Sequence, residues 1–254
     1  MNFKGFDKLK AHVSQLTTSS GRIKIVASFF GILGLTTLYF ILTDRIPTWT
    51  LDSQIVVMSL GFLLFSRYFT QRKKFMERYK AAAYRHAFGR FALPGLAIIF
   101  AAFAHIGYMN GPKFTQPTLE LIFTWLGWFN LVVGVALWIR AVSVFGLDNL
   151  TMLYVYFPEE GTVVNSSIYS VIRHPIYGAA LRVGVGLALL NMGIYALTFA
   201  VLLPLGLFGW VRLVEEKELI ERFAGYAEYR QKTPAFFPTP NRIPGFFRFL
   251  FTGR

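Results

Sequence analysis

Six apolar segments limit what this chain can become. The first runs from about Ile25 to Leu42, the second from Leu51 to Phe69, the third from Phe91 to Met109 and the fourth from Leu119 to about Val144. Each is long enough to cross ~30 Å of hydrocarbon as a helix, some only with help from interfacial residues. The fifth and sixth, about Ile176 to Leu190 and Tyr195 to Val211, form a hairpin around the short turn Asn191-Met192-Gly193. They are at the short end for spanning, which leaves a shallow or re-entrant hairpin as an alternative. The expected fold is all-α: a polytopic membrane helical bundle with a C-terminal helical hairpin and a cytoplasmic cosubstrate pocket.

Composition supports lipid as the surrounding solvent. Only 15% of residues are charged while 54% are hydrophobic, against about 25% charged in soluble domains. The net charge of +13 does not point to nucleic acid, because the cations gather at the ends of apolar runs, as topology determinants do. The absence of Cys excludes a disulfide framework, a thiolate nucleophile, thiolate zinc sites and cysteine-linked haem or iron–sulfur centres. His12, His86, His105 and His174 lie far apart without ligand spacing, so no metal site is expected. The N-terminus stays polar through Ser20 and lacks the compact apolar region and small-residue cleavage site of a secretory signal. The first apolar run therefore reads as a retained span.

Lys and Arg set the expected orientation. The N-terminal flank carries Lys4, Lys8, Lys10, Arg22 and Lys24, and the connection between spans two and three carries Arg67, Arg72, Lys73, Lys74, Arg78, Lys80, Arg85 and Arg90. The loops on the other side carry one each, Arg45 and Lys113. By the positive-inside rule both termini are cytoplasmic. In the Phe75 to Phe88 stretch, Phe75, Tyr79 and Ala83 recur at four-residue intervals among basic residues. This reads as a cytoplasmic extension of the second span lying near anionic headgroups of the phospholipid bilayer, with a role in holding an anionic substrate as the alternative. Residues 1–150 thus form an N-terminal transmembrane region of about four spans plus a basic connection, and residues 151–254 a catalytic region.

The chemistry is expected where charge meets the apolar hairpin. Gly146 and the Pro158-Glu159-Glu160-Gly161 turn break helical continuity after span four, and Arg173-His174-Pro175-Ile176-Tyr177-Gly178 follows. Proline opens a helix well at its first turn, so the hairpin's first arm should start at Pro175 and point free amides back toward His174. Such a helix start favours an anionic ligand group, and Arg173 offers the same group a forked pair of donors. The second arm leads into Arg212, Glu215 and Glu216, where Arg212 stands at i,i+3 and i,i+4 to the two acids. That spacing fits a catalytic cluster and a salt-bridged helix end equally well. Arg182 lies about two turns into an otherwise apolar helix, where a guanidinium should not face lipid unpaired. It pairs inside the bundle, meets a polar substrate, or snorkels to the headgroups. Gly178, Ala179, Ala180, Gly184, Gly186 and Ala188 make the first arm slim, for close helix packing or for a groove that admits a bulky ligand. His105, midway along span three, reads as a hydrogen-bonded interior histidine, with a substrate contact as the alternative.

On these residues the chain resembles the isoprenylcysteine carboxyl methyltransferase and phospholipid methyltransferase superfamily of integral-membrane enzymes. The shared pieces are the stretch from Tyr169 through Arg173-His174-Pro175 to Tyr177 and Gly178, the slim hairpin, and Arg-x-x-Glu-Glu-x-x-Leu on Arg212, Glu215, Glu216 and Leu219. Phe223, Tyr226, Tyr229 and Thr233-Pro234 complete the pattern, which covers roughly Val164 to Pro238. The resemblance implies S-adenosylmethionine taken from the cytosol and methyl transfer to an acceptor reached through the membrane. It implies cosubstrate binding by His174, Pro175, Ile176, Tyr177, Gly178, Glu215, Glu216 and Tyr229. Arg173, Arg212 and Glu216 become candidate catalytic residues; Arg182, Arg212 and His105 are candidates for contact with the acceptor. Two departures stand out: Ser166-Ser167-Ile168-Tyr169 replaces the commoner Ser-Gly-Pro-Tyr, and Gly225 is displaced from the position after Phe223.

A sulfonium methyl already has a good leaving group, so in-line placement and desolvation suffice as catalysis. A carboxylate or thiolate acceptor needs no general base, whereas a neutral amine must lose a proton that Glu216 or His174 would receive. The acceptor is expected to be lipophilic or membrane-embedded (a prenylcysteine carboxylate, a lipid amine or a thiol) and the protein to reside in a prokaryotic cytoplasmic membrane, with no obligate protein partner. Two rivals stand beside this reading. A membrane sterol or enone reductase using NADPH also ends in an Arg-His-Pro hairpin, though with a larger bundle and a more basic cofactor site. A non-catalytic transporter or scaffold is the other.

Overall fold

The computed structural model describes residues 4–253, which are helical or irregular apart from one isolated bridge between Lys113 and Gly193. In chain order the α-helices are α1 (Phe6–His12), α2 (Ser19–Thr43), α3 (Thr50–Thr70), α4 (Arg72–Tyr79), α5 (Ala83–Ala87), α6 (Leu93–Ile106), α7 (Pro117–Phe145), α8 (Leu147–Leu150), α9 (Ile168–Val171), α10 (Pro175–Asn191), α11 (Ile194–Trp210), α12 (Glu216–Arg222), α13 (Tyr226–Lys232) and α14 (Ile243–Thr252). Five helical runs are long and apolar enough to cross a membrane: Ser19–Thr43, Thr50–Thr70, Arg72–Ile106, Pro117–Phe145 and Ile194–Arg222. The chain is therefore an all-α polytopic membrane bundle, with the 17-residue α10 as a shorter apolar sixth helix.

Two of the long runs extend beyond the apolar stretches that announce them. The basic connection is helical from Arg72 onward and joins α6 through a π turn at Phe88–Ala92. Its aromatic residues do not lie out on headgroups. Phe75, Ala83, Tyr84 and Ala87 are buried in one cluster with Tyr68, Tyr154 and Tyr156, so the segment joins the bundle because the 150s supply apolar partners for it. Likewise α11 passes through a π turn at Val211–Glu215 straight into α12, carrying the acidic residues on the end of a 29-residue helical run.

The glycines of α10 serve packing. A Cβ on Gly186 would stand 2.9 Å from the carbonyl oxygen of Gly127 in α7, so the two backbones meet with no side chain between them. Gly184 faces Leu203 of α11 and Phe103 of α6 in the same way, and Gly178 faces the carbonyl of Phe236. Each of these glycine surfaces is occupied by protein, which is the close-packing alternative; a groove for a bulky ligand is not found there. The hairpin turn holds Met192 in the left-handed region, and Asn191 ties it to the preceding loop through Met109 and Lys113.

Candidate functional site

Pro175 is the first residue of α10 and His174 is its N-cap, without a side-chain cap bond. The C-terminal segment runs alongside this turn. Arg173 N–H donates to the Pro234 carbonyl at 2.9 Å and His174 N–H to the Ala235 carbonyl at 3.0 Å. The Thr233-Pro234 stretch therefore serves as a strap across the mouth of the hairpin. Trp210, at the end of α11, stacks on Phe65 and donates to Ser66 Oγ at 2.7 Å, while its ring meets Tyr177 edge-on at 5.9 Å. The start of α10 and the end of α11 are thereby fixed at one end of the bundle, beside the last turn of α3.

Glu216 is the centre of this end. It is buried, and its carboxylate faces Arg173 Nε at 2.5 Å, Arg230 Nε at 3.0 Å and His174 Nε2 at 3.1 Å. Arg173 also donates to the carbonyls of Thr233 and Arg230. One carboxylate thus joins α10, α12 and α13, and both its oxygens are engaged inside the protein. Tyr226 Oη lies 3.3 Å from His174 Nε2. Burial first, and then the nearby Glu215 and Glu216, push the Tyr226 phenol far above its ordinary range, so it keeps its proton as a donor. Tyr229 is also held protonated by burial, and its hydroxyl donates to the Tyr169 carbonyl.

Glu215 behaves differently. Its Oε1 lies 3.9 Å from His174 Nδ1, and the Tyr177 phenol stands close enough to interact with the same carboxyl. Its Oε2 is buried with no hydrogen-bond partner among the described residues. Nearby stand Glu218 and Arg222, with Arg222 Nε and Glu218 Oε1 3.2 Å apart but not aligned as a hydrogen bond. Both Glu218 oxygens, Arg222 Nε and the Tyr169 hydroxyl are buried and likewise without hydrogen-bond partners. Of nine such side-chain atoms among the described residues, five belong to Tyr169, Glu215, Glu218 and Arg222, which interact electrostatically as one group. Buried polar atoms normally have partners; the Arg222–Glu218 ion pair compensates part of this set, and Glu215 Oε2, Glu218 Oε2 and the Tyr169 hydroxyl are left without one. Glu218 and Arg222 were not read from the sequence as site residues. Their spacing held the signal: Glu215 and Glu218 stand at i,i+3, and Glu218 and Arg222 at i,i+4 on one helix.

The structure gathers Arg173, His174, Pro175, Tyr177, Gly178, Glu215, Glu216 and Tyr229 at this end and leaves Ile176 half-buried in the first turn of α10. Arg212 is not gathered in. It is exposed, and Glu216 turns inward to Arg173, His174 and Arg230. The expected pairing rested on α-helical spacing, which a π turn at Val211–Glu215 replaces.

His105 belongs to the other end of the bundle. It is fully buried, with Nδ1 2.7 Å from Gln54 Oε1, Nε2 3.0 Å from Asp44 Oδ2, and its ring stacked on Phe40. Gln54 and Ser66 are twelve residues apart on α3, or about 18 Å along the helix. His105 is thus an interior histidine clamping α2, α3 and α6, away from the His174 cluster. Arg182 is a turn beyond Gly178 on α10; its guanidinium lies over the rings of Phe237 and Phe246.

The departure at Ser166-Ser167 leaves a trace in the backbone. Ser166 and Tyr169 close a turn through Tyr169 N–H to Ser166 O at 3.1 Å, with Ser167 at φ 55° and ψ −132°. These are the angles of the first central position of a type II′ turn, where glycine is favoured. Ser167→Gly is expected to stabilise the protein by about 1 kcal/mol by removing that strain. A thermal melt in detergent checks it; an unchanged or lower midpoint would contradict it. Gly225, at φ 91°, starts α13 in the left-handed region, which explains a glycine at this position in the α12–α13 turn.

Comparison with known proteins bears on the same segment. A family model described as phospholipid methyltransferase matches residues 122–225. Over 91 residues the chain is 35% identical to the cobalt-zinc-cadmium resistance protein CzcN of Cupriavidus metallidurans, covering 34% of this chain and 40% of that protein. Over 125 residues it is 29% identical to methanethiol S-methyltransferase of Pseudomonas deceptionensis, covering 48% of this chain and 45% of that one. The matches thus span less than half the length of these curated relatives. No solved structure matches. The residues matched by the family model contain the Arg-His-Pro turn, α10, α11 and the acidic α12, so the chain's similarity to phospholipid methyltransferases falls on the segment that builds this end of the bundle.

Proposed function

We propose that this protein transfers the methyl group of S-adenosylmethionine to an acceptor reached from the membrane, and that the cosubstrate is held by Glu215, Glu218, Arg222 and the tyrosines around them. The observation that carries this reading is the set of buried polar atoms without partners at that end. Their chemistry fits the ligand. The unpaired oxygens Glu215 Oε2 and Glu218 Oε2 suit its ammonium group and ribose hydroxyls, and Arg222, which pairs with Glu218 Oε1 in the ligand-free protein, has further guanidinium donors that suit its carboxylate. When bound, the cosubstrate supplies an electrophilic methyl group on a sulfonium.

The residues' parts follow from their surroundings. Glu216 braces Arg173, His174 and Arg230 and so keeps the Thr233–Ala235 strap closed over the turn, which excludes water. Glu215 presents its free Oε2 to the ligand, while Oε1 faces His174 Nδ1 at 3.9 Å. Tyr226 stays protonated and presents a neutral donor beside His174. Where an acceptor must lose a proton, His174 Nδ1, 3.9 Å from Glu215, is the group placed to take it. Arg212, on the outside of the π turn, keeps its proposed part near the reaction centre only if it swings inward with ligand. The acceptor is a lipophilic or membrane-accessible molecule, and the site faces the cytoplasm by the distribution of Lys and Arg.

An acid-rich buried cluster suits a cationic cosubstrate better than a dinucleotide phosphate, which favours this reading over a reductase. Calorimetry on the detergent-purified protein tests it directly. S-adenosylhomocysteine should give saturable heat and NADPH none; the reverse pattern, or silence with the first ligand, would sink the proposal.

A further inference from the structure

The site proposed for the cosubstrate is shut. Glu215 Oε2, Glu218 Oε2 and the Tyr169 hydroxyl are buried, so no ligand can touch them until part of the protein moves aside. The Thr233–Ala235 strap is a poor candidate for that movement, since Arg173 and His174 bond it through backbone and side chain. Residues 161–167 are a better one. They connect the Pro158–Glu160 turn to α9, form no regular structure and include no buried residue. None of the backbone N–H groups from Thr162 to Ser167 has a hydrogen-bond acceptor among the described residues. Segments with so few bonds and so little burial are the ones that open locally at small cost.

The two ends of this segment stand on the two sides of the partnerless group. At one end Gly161 lies against the Phe223 ring, where an added Cβ would come 3.2 Å from Cζ, and against Tyr154, whose Cβ it would meet at 2.8 Å. Phe223 in turn carries the guanidinium of Arg222, 4.4 Å from its ring centroid. At the other end Val164 packs on the cluster that holds Tyr169, and the Ser166 carbonyl accepts from the Tyr169 N–H. The segment thus bridges the Arg222 side of the group to the Tyr169 side. Its base is fastened from outside by the N-terminal helix. His12, at the end of α1, stacks on Phe157 with ring centroids 3.8 Å apart, and its Nε2 lies 2.9 Å from Glu160 Oε1. Leu9 and Val13 anchor this part of the chain in the cluster of Tyr154 and Tyr156, while His12 reaches on to the turn that leads into the segment.

We infer that residues 161–167 form a lid that lifts for the cosubstrate to enter and leave, and that His12 is its latch. The ligand's part in this rests on the proposed function; the lid's opening does not, and it is measured without any ligand. His12 lies outside residues 122–225, so exchange is governed from a part of the chain to which the family model does not extend. A latch acts in both directions. Because the ligand-free protein is already closed, weakening the latch raises the open fraction before and after binding alike. Association and dissociation then quicken together, and the equilibrium affinity hardly changes. Damage to the site itself would instead speed dissociation alone and weaken binding.

The chain has no cysteine, so Val164→Cys provides a single, half-buried thiol within the lid. In the full chain in an uncharged maltoside detergent, its reaction with a charged maleimide reads lid opening. His12→Glu sets a second acid against Glu160 and removes the stack. It should speed labelling by about tenfold, the scale of a partly exposed ion pair and one ring stack together. Adding Glu160→Lys restores opposite charges and should slow the reaction again, which unfolding of α1 would not allow. In the same backgrounds without the thiol, tritiated S-adenosylhomocysteine should bind and leave faster by a similar factor, with Kd changed by less than about twofold. Labelling indifferent to His12→Glu overturns the inference, as does faster labelling that Glu160→Lys leaves unslowed. Dissociation that quickens alone while affinity falls also overturns it, because His12 would then support the site and gate nothing. Latch-dependent labelling in a chain that binds no S-adenosylhomocysteine would leave the lid standing and count against the methyltransferase reading alone.

Discussion

Glu216→Gln is expected to lower the protein's stability by about 3–5 kcal/mol, the cost of stranding buried charge. Glu216 receives Arg173, Arg230 and His174 on two oxygens. Glutamine offers one acceptor oxygen and turns an NH₂ group toward a guanidinium that cannot accept from it. Two arginines would then share a mostly dry site without a counter-charge. The loss would spread locally first, because Arg173 also holds the carbonyls of Thr233 and Arg230 and lies beside the strap bonded to its own backbone. α13 and the strap should therefore become protease-sensitive before the long helices do. A thermal melt and limited trypsin digestion, followed at Arg230 and Lys232, measure both effects. An unchanged midpoint with those sites still protected would show that Glu216 is not the brace described here.

Much of this bundle was readable before any coordinates, because span-length apolar runs leave helices as the main option in lipid. Pro175 at the first position of α10 and the Asn191–Gly193 turn were likewise readable, being local matters of missing donors and backbone angles. What the sequence could not settle was competition among neighbours. Arg212 and Arg173 are both arginines near Glu216, and helical spacing favoured the first; the tertiary fold, by folding the hairpin back, gave the carboxylate to the second and added Arg230 from a helix fourteen residues on. Phe75 and Tyr84 sit in a strongly basic stretch, yet an aromatic cluster from the 150s captures them. His105 reads as an interior residue and is one, held between Asp44 at the end of α2 and Gln54 on α3. Glu218 and Arg222 went unnoticed because an i,i+4 acid–base pair normally signals a solvated helix face. Only burial shows that this one is dry and incompletely bonded.

The adjacent glutamate should respond in the opposite sense. Glu215 Oε2 is buried without a donor, so in the ligand-free protein its charge is poorly compensated. Glu215→Gln removes that charge and keeps the shape, and should leave the melting midpoint unchanged or raise it. Binding of S-adenosylhomocysteine, by contrast, should weaken by about 10- to 100-fold, the loss of a charge-assisted hydrogen bond to a cationic or hydroxyl donor. The contrast between neighbours is the strength of the comparison. Simple damage to α12 would lower stability and affinity together in both variants. A role for Glu216 as the direct ligand and Glu215 as a bystander would leave the affinity of Glu215→Gln intact. Calorimetry paired with thermal melts on the two variants separates these outcomes, because only a brace at Glu216 and a ligand contact at Glu215 predict stability lost in one and affinity lost at full stability in the other.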